Sequence, residues 1–219
     1  MSRSRRPEAT VHERGFTLVE LLIVVAVVAV VLTLAAPSFR EMIEMQRLRG
    51  PSAQLTTDIQ FARSEAVSRQ EVVAISFEPS ASGMSCYILH TWPGDLNQPR
   101  CSCSAPEGSR CPVAVPPAPQ PREIRTVQVP TATNVRVLPV QAPSAPAAVN
   151  VIHFNPTTGG MQAYYIGVGG PGLSPIGEAW AEVRLQRPSN PPGLRTMVSV
   201  SGRPSVCTPG GRVSGVPSC

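Results

Sequence analysis

The pattern of apolar and polar positions changes three times along the chain, and each change predicts an element. From Phe16 to Ala36 every position is apolar except Thr17, Glu20 and Thr33. As a helix this run would span about 31 Å at about 1.5 Å per residue, the thickness of a hydrocarbon core. Pro37 follows within the same helical run and is expected to kink or loosen it, because its ring removes a backbone donor. Ser38 to Arg49 continues helically with mixed charge, and Gly50-Pro51 reads as a second break. Residues 52–71 resume the helical period, with Leu55, Ile59, Ala62 and Ala66 on one stripe that should face a sheet.

The period then shortens to two. Val73, Ile75 and Phe77 alternate in one strand, and Cys86 to Trp92 reads as another. Further strands are expected at 123–129, 134–140, 150–154, 181–187 and 194–201. Ala181, Val183 and Leu185 alternate with Glu182, Arg184 and Gln186, so that strand has one wet face. Asn155–Gly160 and Gly167–Gly172 carry turn residues. No internal repeat interrupts this order. The expected architecture is α+β: a long N-terminal helix, part membrane anchor and part amphipathic, packed on a mostly antiparallel β-sheet.

Composition adds two constraints. Of 219 residues, 25 are proline, which excludes long helices through the whole chain and favours a loop-rich body. Eight of those prolines and three cysteines fall within 93–121, which is expected to be a loop or insertion, extended as polyproline over Pro112–Pro121. The six cysteines form no C-x-x-C pair, which favours disulfides over zinc. The net charge of +5 is carried by arginine alone, since the chain has no lysine; it permits contact with anionic partners without requiring it.

The apolar run has two ordinary explanations, a plain single-pass anchor or a secretory signal cut near Ala35-Ala36. Arg3, Arg5, Arg6 and Arg14 against Glu8 and Glu13 place the N-terminus in the cytoplasm and the body outside. An oxidising compartment then suits the cysteines. Neither explanation accounts for Glu20, since a carboxylate inside a span costs about 2.5–3.5 kcal/mol at mid-bilayer and less near an end.

The run Arg14-Gly15-Phe16-Thr17-Leu18-Val19-Glu20-Leu21-Leu22 resembles the prepilin leader junction of type IV pilins and pseudopilins. The resemblance implies that a membrane peptidase cuts after Gly15 and methylates the new N-terminus at Phe16, with the apolar segment retained. Glu20 of one subunit would then face the N-terminal amine of a neighbour, a charge otherwise exposed at the positive end of a helix dipole. Pro37 matches a proline found at the corresponding place in family pilins. On this reading residues 1–15 are the removed leader, 16–49 the membrane and filament-core helix, and 50–219 a periplasmic pilin-like body with the 93–121 insertion. The segment Asp58-Ile59-Gln60-Phe61-Ala62-Arg63-Ser64-Glu65-Ala66, leading into Val72-Val73-Ala74-Ile75, is similar to the GspH/FimT branch of that superfamily. A Phe-x-Pro-x-x-Gly turn at 154–159 and Ser-Gly-Arg at 201–203 look alike as well. Taken by themselves, Arg63 and Glu65 read as a solvated helix face.

Cys207 and Cys219 are expected to pair and to tie down a Pro/Gly/Ser-rich tail, a closure worth about 3 kcal/mol in the chain-entropy account. Cys86, Cys101, Cys103 and Cys111 would pair among themselves, with Cys101 and Cys103 each reaching Cys86 or Cys111. A four-thiolate metal site is the disfavoured alternative, because Cys-x-Cys spacing suits zinc poorly. His12 leaves with the leader, His90 and His153 sit in expected strands, Asp58 and Asp95 are the only aspartates, and no phosphate loop, nucleophile elbow or zinc-protease motif is present. No catalytic residue, cofactor or metal is therefore expected.

The resemblance implies a minor type IV pilin, a low-copy subunit that primes or caps a pilus. Its partners would be the prepilin peptidase, other major and minor pilins and the inner membrane, with later placement in the filament at the cell surface. An H-type pseudopilin of a type II secretion system, working among other pseudopilins, is the alternative. A third reading is DNA capture during natural transformation. Residues 180–219 carry Arg184, Arg187, Arg195, Arg203 and Arg212 against Glu182 alone, and Arg203 and Arg212 follow glycines as in DNA-binding relatives of this branch. Both positions lack the second arginine of the Gly-Arg-x-Arg pattern, and arginines also keep edge strands soluble, which is the preferred reading.

Overall fold

The structure, a computed structural model, describes residues 15–79, 84–92, 101–113, 120–141, 150–167, 170–176, 178–187, 189, 191–211 and 213–219. Its contacts divide the chain into one unit up to Ile43 and a second, Glu44–Cys219.

The helix α1 runs from Leu18 to Arg69. Thr17 caps its start: its Oγ1 accepts the Glu20 N–H at 3.2 Å and its carbonyl accepts the Leu21 N–H at 3.2 Å. The helix ends where Gln70 takes the left-handed conformation (φ 56°), the usual stop after a last turn. The break expected at Gly50-Pro51 does not occur, and α1 is also continuous through Pro37. At Pro51 the reason is packing. Leu48, Ser52 and Leu55 on either side of it are all buried, and the burial of that stripe outweighs one missing helical hydrogen bond.

Leu48, Leu55, Ile59, Ala62 and Ala66 form the helical face of one core. The other faces come from two sheets rather than the single sheet expected. The first has the order β3-β2-β1-β5-β6-β7, from β1 (Val73–Pro79), β2 (Ser85–Thr91), β3 (Glu123–Val129), β5 (Val151–Phe154), β6 (Met161–Gly167) and β7 (Gly170–Ile176). The second has the order β10-β9-β8-β4, from β4 (Val135–Val140), β8 (Glu178–Leu185), β9 (Gly193–Ser199) and β10 (Pro204–Cys207). Every pairing within them is antiparallel. Ile75, Tyr87, Leu89, Ile152 and Phe154 enter the core from the first sheet, and Val135, Val137, Ala181, Val183 and Val198 from the second.

The expected turn at Gly167–Gly172 is only partly one, since Gly170 to Gly172 begin β7. That strand carries two prolines, and it lies at a sheet edge, where a missing backbone donor is tolerated. The four-residue β10, which starts with Pro204, is the other unforeseen edge strand.

A polar tie crosses the core interface. Asp58, fully buried on α1, accepts the Tyr87 hydroxyl at 2.8 Å on β2 and an Arg125 guanidinium N–H at 2.5 Å on β3. Burial, followed by the bond to Asp58, pushes the Tyr87 phenol well above its ordinary range, so it remains a donor.

Candidate functional site: the N-terminal segment and the Arg63 junction

Gly15, Phe16 and Thr17 precede the helix without regular structure, and Phe16 is 80% exposed. The Gly15–Phe16 bond therefore lies in accessible chain outside the helix. Leu18–Ala36 follows, a stretch of 19 residues with mean hydropathy 3.0 and none of it buried within the chain. It is long and apolar enough to cross a membrane. The span's hydroxyls are satisfied internally: Thr17 caps the helix and Thr33 Oγ1 donates to the Val30 carbonyl at 2.7 Å. Glu20 is different. Its carboxylate is exposed and, among the described residues, makes no hydrogen bond or ion pair. A carboxyl group in so apolar a surface is costly to place in a membrane.

The second site lies at the far end of α1, where three separated motif segments meet. Arg63 Nε donates to the Gly159 carbonyl at 3.0 Å, reaching the turn between β5 and β6. Gly202, in the turn between β9 and β10, packs against the same atoms: a Cβ built on it would lie 2.6 Å from the Gly159 oxygen and 3.1 Å from Arg63 Cδ. Both glycines have positive φ, +63° at Gly159 and +75° at Gly202. The Met161 N–H also donates to the Val200 carbonyl at 2.8 Å, joining the two turns directly. Arg63 is thus partly buried and holds two turns, which corrects its reading as a solvated residue. Glu65 instead forms an ion pair with Arg69 one turn on. The motif resemblance at 62–66, 154–159 and 201–203 pointed to these residues, but only the fold reveals that they touch.

The cysteines pair as Cys86–Cys103, Cys101–Cys111 and Cys207–Cys219. The loop at 101–113 is fastened to the first sheet by more than sulfur. Glu78 accepts from Ser102 Oγ at 2.8 Å and from the Ser104 N–H at 3.2 Å, and Arg110 pairs with Glu123 at 2.7 Å. Glu78 lies near Cys86 and Cys103, but both sulfurs are committed to a disulfide and offer no thiolate to a metal. Much of the expected Pro112–Pro121 segment, and Asp95, lie outside the described residues. At the C-terminus the Thr208 N–H donates to the Pro217 carbonyl at 2.8 Å, so the tail folds back on itself within the Cys207–Cys219 loop.

The remaining sequence candidates are dispersed. His90 is buried, with Nε2 2.9 Å from Ser76 Oγ and Nδ1 3.0 Å from the Thr91 carbonyl. His153 meets Gln162 Oε1 at 3.1 Å and Tyr164 edge-on. Burial, partly offset by the Gln162 bond, lowers its pKa. Arg203 is exposed beside Gly202, and Arg212 lies outside the described residues. Of the other arginines in the basic C-terminal region, Arg187 pairs with Glu44 and Arg195 with Glu182 at 2.9 Å. The region is not a flexible tail: much of it is strand, and its end is closed by a disulfide.

A chain whose apolar span continues as a helix supporting its own β-body is made to be held by that span, and this design defines type IV pilin-like subunits. Residues 11–36 match the prokaryotic N-terminal methylation motif, and residues 52–201 match the family described as type II transport protein GspH. The second match covers more than half the chain, so the protein belongs to the GspH family, whose members are structural subunits. No match was found among curated proteins or solved structures.

Proposed function

We propose that this protein is a minor type IV pilin, incorporated at low copy to prime or cap a filament. The observation that carries the reading is Glu20, a carboxylate with no partner among the described residues, in the first turn of an apolar span and five residues after a prepilin-type glycine. After cleavage between Gly15 and Phe16 and methylation of Phe16, the Glu20 of one subunit would neutralise the amine of the next. The N-terminus would face the cytoplasm and the body the periplasm, where disulfides form. Support for a pilus comes from the 93–121 insertion, whose described part is fastened to a sheet and is suited to display. The family description favours a second reading, an H-type pseudopilin of a type II secretion system.

The test is recovery of the mature protein from cross-linked envelopes, with mass spectrometry of its N-terminal peptide and of the co-purifying chains. A methylated Phe16 among pilus-type minor pilins is the expected result. The same terminus among secretion pseudopilins selects the second reading, and a terminus near Pro37 refutes both. Glu20→Ala should still be cleaved yet enter filaments poorly; normal incorporation would remove this account of Glu20.

A further inference from the structure

An open cleft of about 540 Å3 lies on the second sheet, lined by Arg136, Arg184, Leu185, Gln186, Arg187 and Pro191. That volume falls among those of small-ligand sites. Among the described residues its charged lining is all basic: Arg136, Arg184 and Arg187. Arg136 on β4 stands directly opposite Arg184 on β8, and the next position in that row, on β9, is Gly193, which brings no side chain. Like charges facing each other across a ladder are destabilising. Among the described residues neither Arg136 nor Arg184 has an acid partner, whereas Arg187 is paired with Glu44 and the nearby Glu182 with Arg195. Two donors are also withdrawn from water without an acceptor: Arg136 Nε and Gln186 Nε2. A buried donor left unsatisfied is destabilising, and more so where the group is charged. A repelling arginine pair and two stranded donors at one cleft are a configuration that an acceptor-only ligand would relieve.

We propose that this cleft binds a dianionic oxyanion of the phosphate class, either inorganic phosphate or a small phosphate monoester. Charge selects the dianion: with Arg187 neutralised by Glu44, Arg136 and Arg184 leave two positive charges to balance. Geometry selects the oxyanion, because guanidinium forks match its oxygens and an ionised phosphate is nearly all acceptor. The volume exceeds that of phosphate alone, and Leu185 and Pro191 offer an apolar wall to a small esterified group.

The test uses the full chain in a zwitterionic detergent, titrated calorimetrically with inorganic phosphate and with glycerol 3-phosphate at matched ionic strength, with chloride as the reference salt. Saturable binding is expected, weakened about tenfold in Arg136→Gln, the equivalent of one charge-assisted contact. Tighter binding of glycerol 3-phosphate would identify an ester as the ligand, and equal binding the free ion. A stability measurement separates this from a merely structural role. In chloride, Arg136→Gln and, independently, Arg184→Gln should melt at or above the wild-type temperature, because each removes the repulsion. In phosphate the order should reverse. Absence of saturable binding to the wild type, undiminished binding in both variants, or lower melting of both variants in chloride would overturn the proposal.

Discussion

Replacing Gly202 by alanine asks whether the Arg63 junction is a rigid three-way contact or a loose surface turn. The new methyl meets two obstacles. The first is conformational: at φ +75° an L-residue pays about 1–2 kcal/mol of left-handed strain. The second is steric, since the added carbon would sit 2.6 Å from the Gly159 carbonyl oxygen, well inside contact distance. Relief requires that carbonyl to move, and it is the acceptor of the Arg63 bond at 3.0 Å. Losing a hydrogen bond to a charged donor adds about 1.5–3 kcal/mol. The sum, about 2.5–5 kcal/mol, corresponds to a fall in melting temperature of about 5–20 °C for a body of this size. Gly211→Ala is the control, because Gly211 also has positive φ (+66°) but open space around its Cβ direction. It should show the strain alone, about 1–2 kcal/mol. Thermal and denaturant melts of the detergent-solubilised chain measure both. The double variant Arg63→Ala/Gly202→Ala should destabilise by less than the sum of its parts, since both changes remove the same bond. If Gly202→Ala melts with Gly211→Ala, or the double variant is strictly additive, the junction is not the contact described.

Asp58→Ala should cost about 2–4 kcal/mol by stranding the buried Tyr87 hydroxyl and freeing Arg125; Arg125→Ala should also be costly, because it leaves the fully buried Asp58 carboxylate with only the Tyr87 hydroxyl, and a loss in urea titrations no larger than that of an ordinary surface substitution would contradict this. Stability should fall as pH drops through the histidine range. Burial holds the folded pKa of His153 below its unfolded value of about 6.5. Its contribution is therefore present above that value and is lost as acid protonates an Nδ1 that has no acceptor among the described residues. Melting temperatures from pH 7.5 to 5 should decline less in His153→Phe, and parallel profiles would refute the assignment. Cys219→Ser should lower stability by about 3 kcal/mol through loss of the short C-terminal loop, and a variant melting at the wild-type temperature would show that the Thr208–Pro217 bonding holds the tail unaided.

Signals that are contiguous in the chain were legible in it. The apolar span, the glycine before Phe16 and the carboxyl-bearing first turn all lie within a few residues of one another, and the clean alternation of 181–187 reports a half-buried strand. Alternation does not say which sheet a strand joins, so two sheets could not be told from one. β7 escaped because its glycines and prolines spell a turn, a spelling that only an edge position tolerates. Gly50-Pro51 misled for the opposite reason: its local preference is real, and burial of Leu48 and Leu55 overrides it. The roles of Arg63 and Asp58 depend on partners far along the chain. The pairing of Arg136 with Arg184 exists only through the β4–β8 register.

The reach of Arg63 bears on the order in which the body comes into being. Its acceptor lies 96 residues downstream, and the glycine that packs on the same carbonyl is further still. While the chain is being made, the stripe from Leu48 to Ala66 is complete long before the strands that cover it. Local helix forms in about a microsecond, whereas closure against β9 must wait for a strand far downstream. For that interval the nascent chain carries an uncovered greasy face next to its own apolar span. Holding that face apart from other chains is a task for whatever greets the emerging polypeptide, and a truncation before Gly202 would leave it permanently undone.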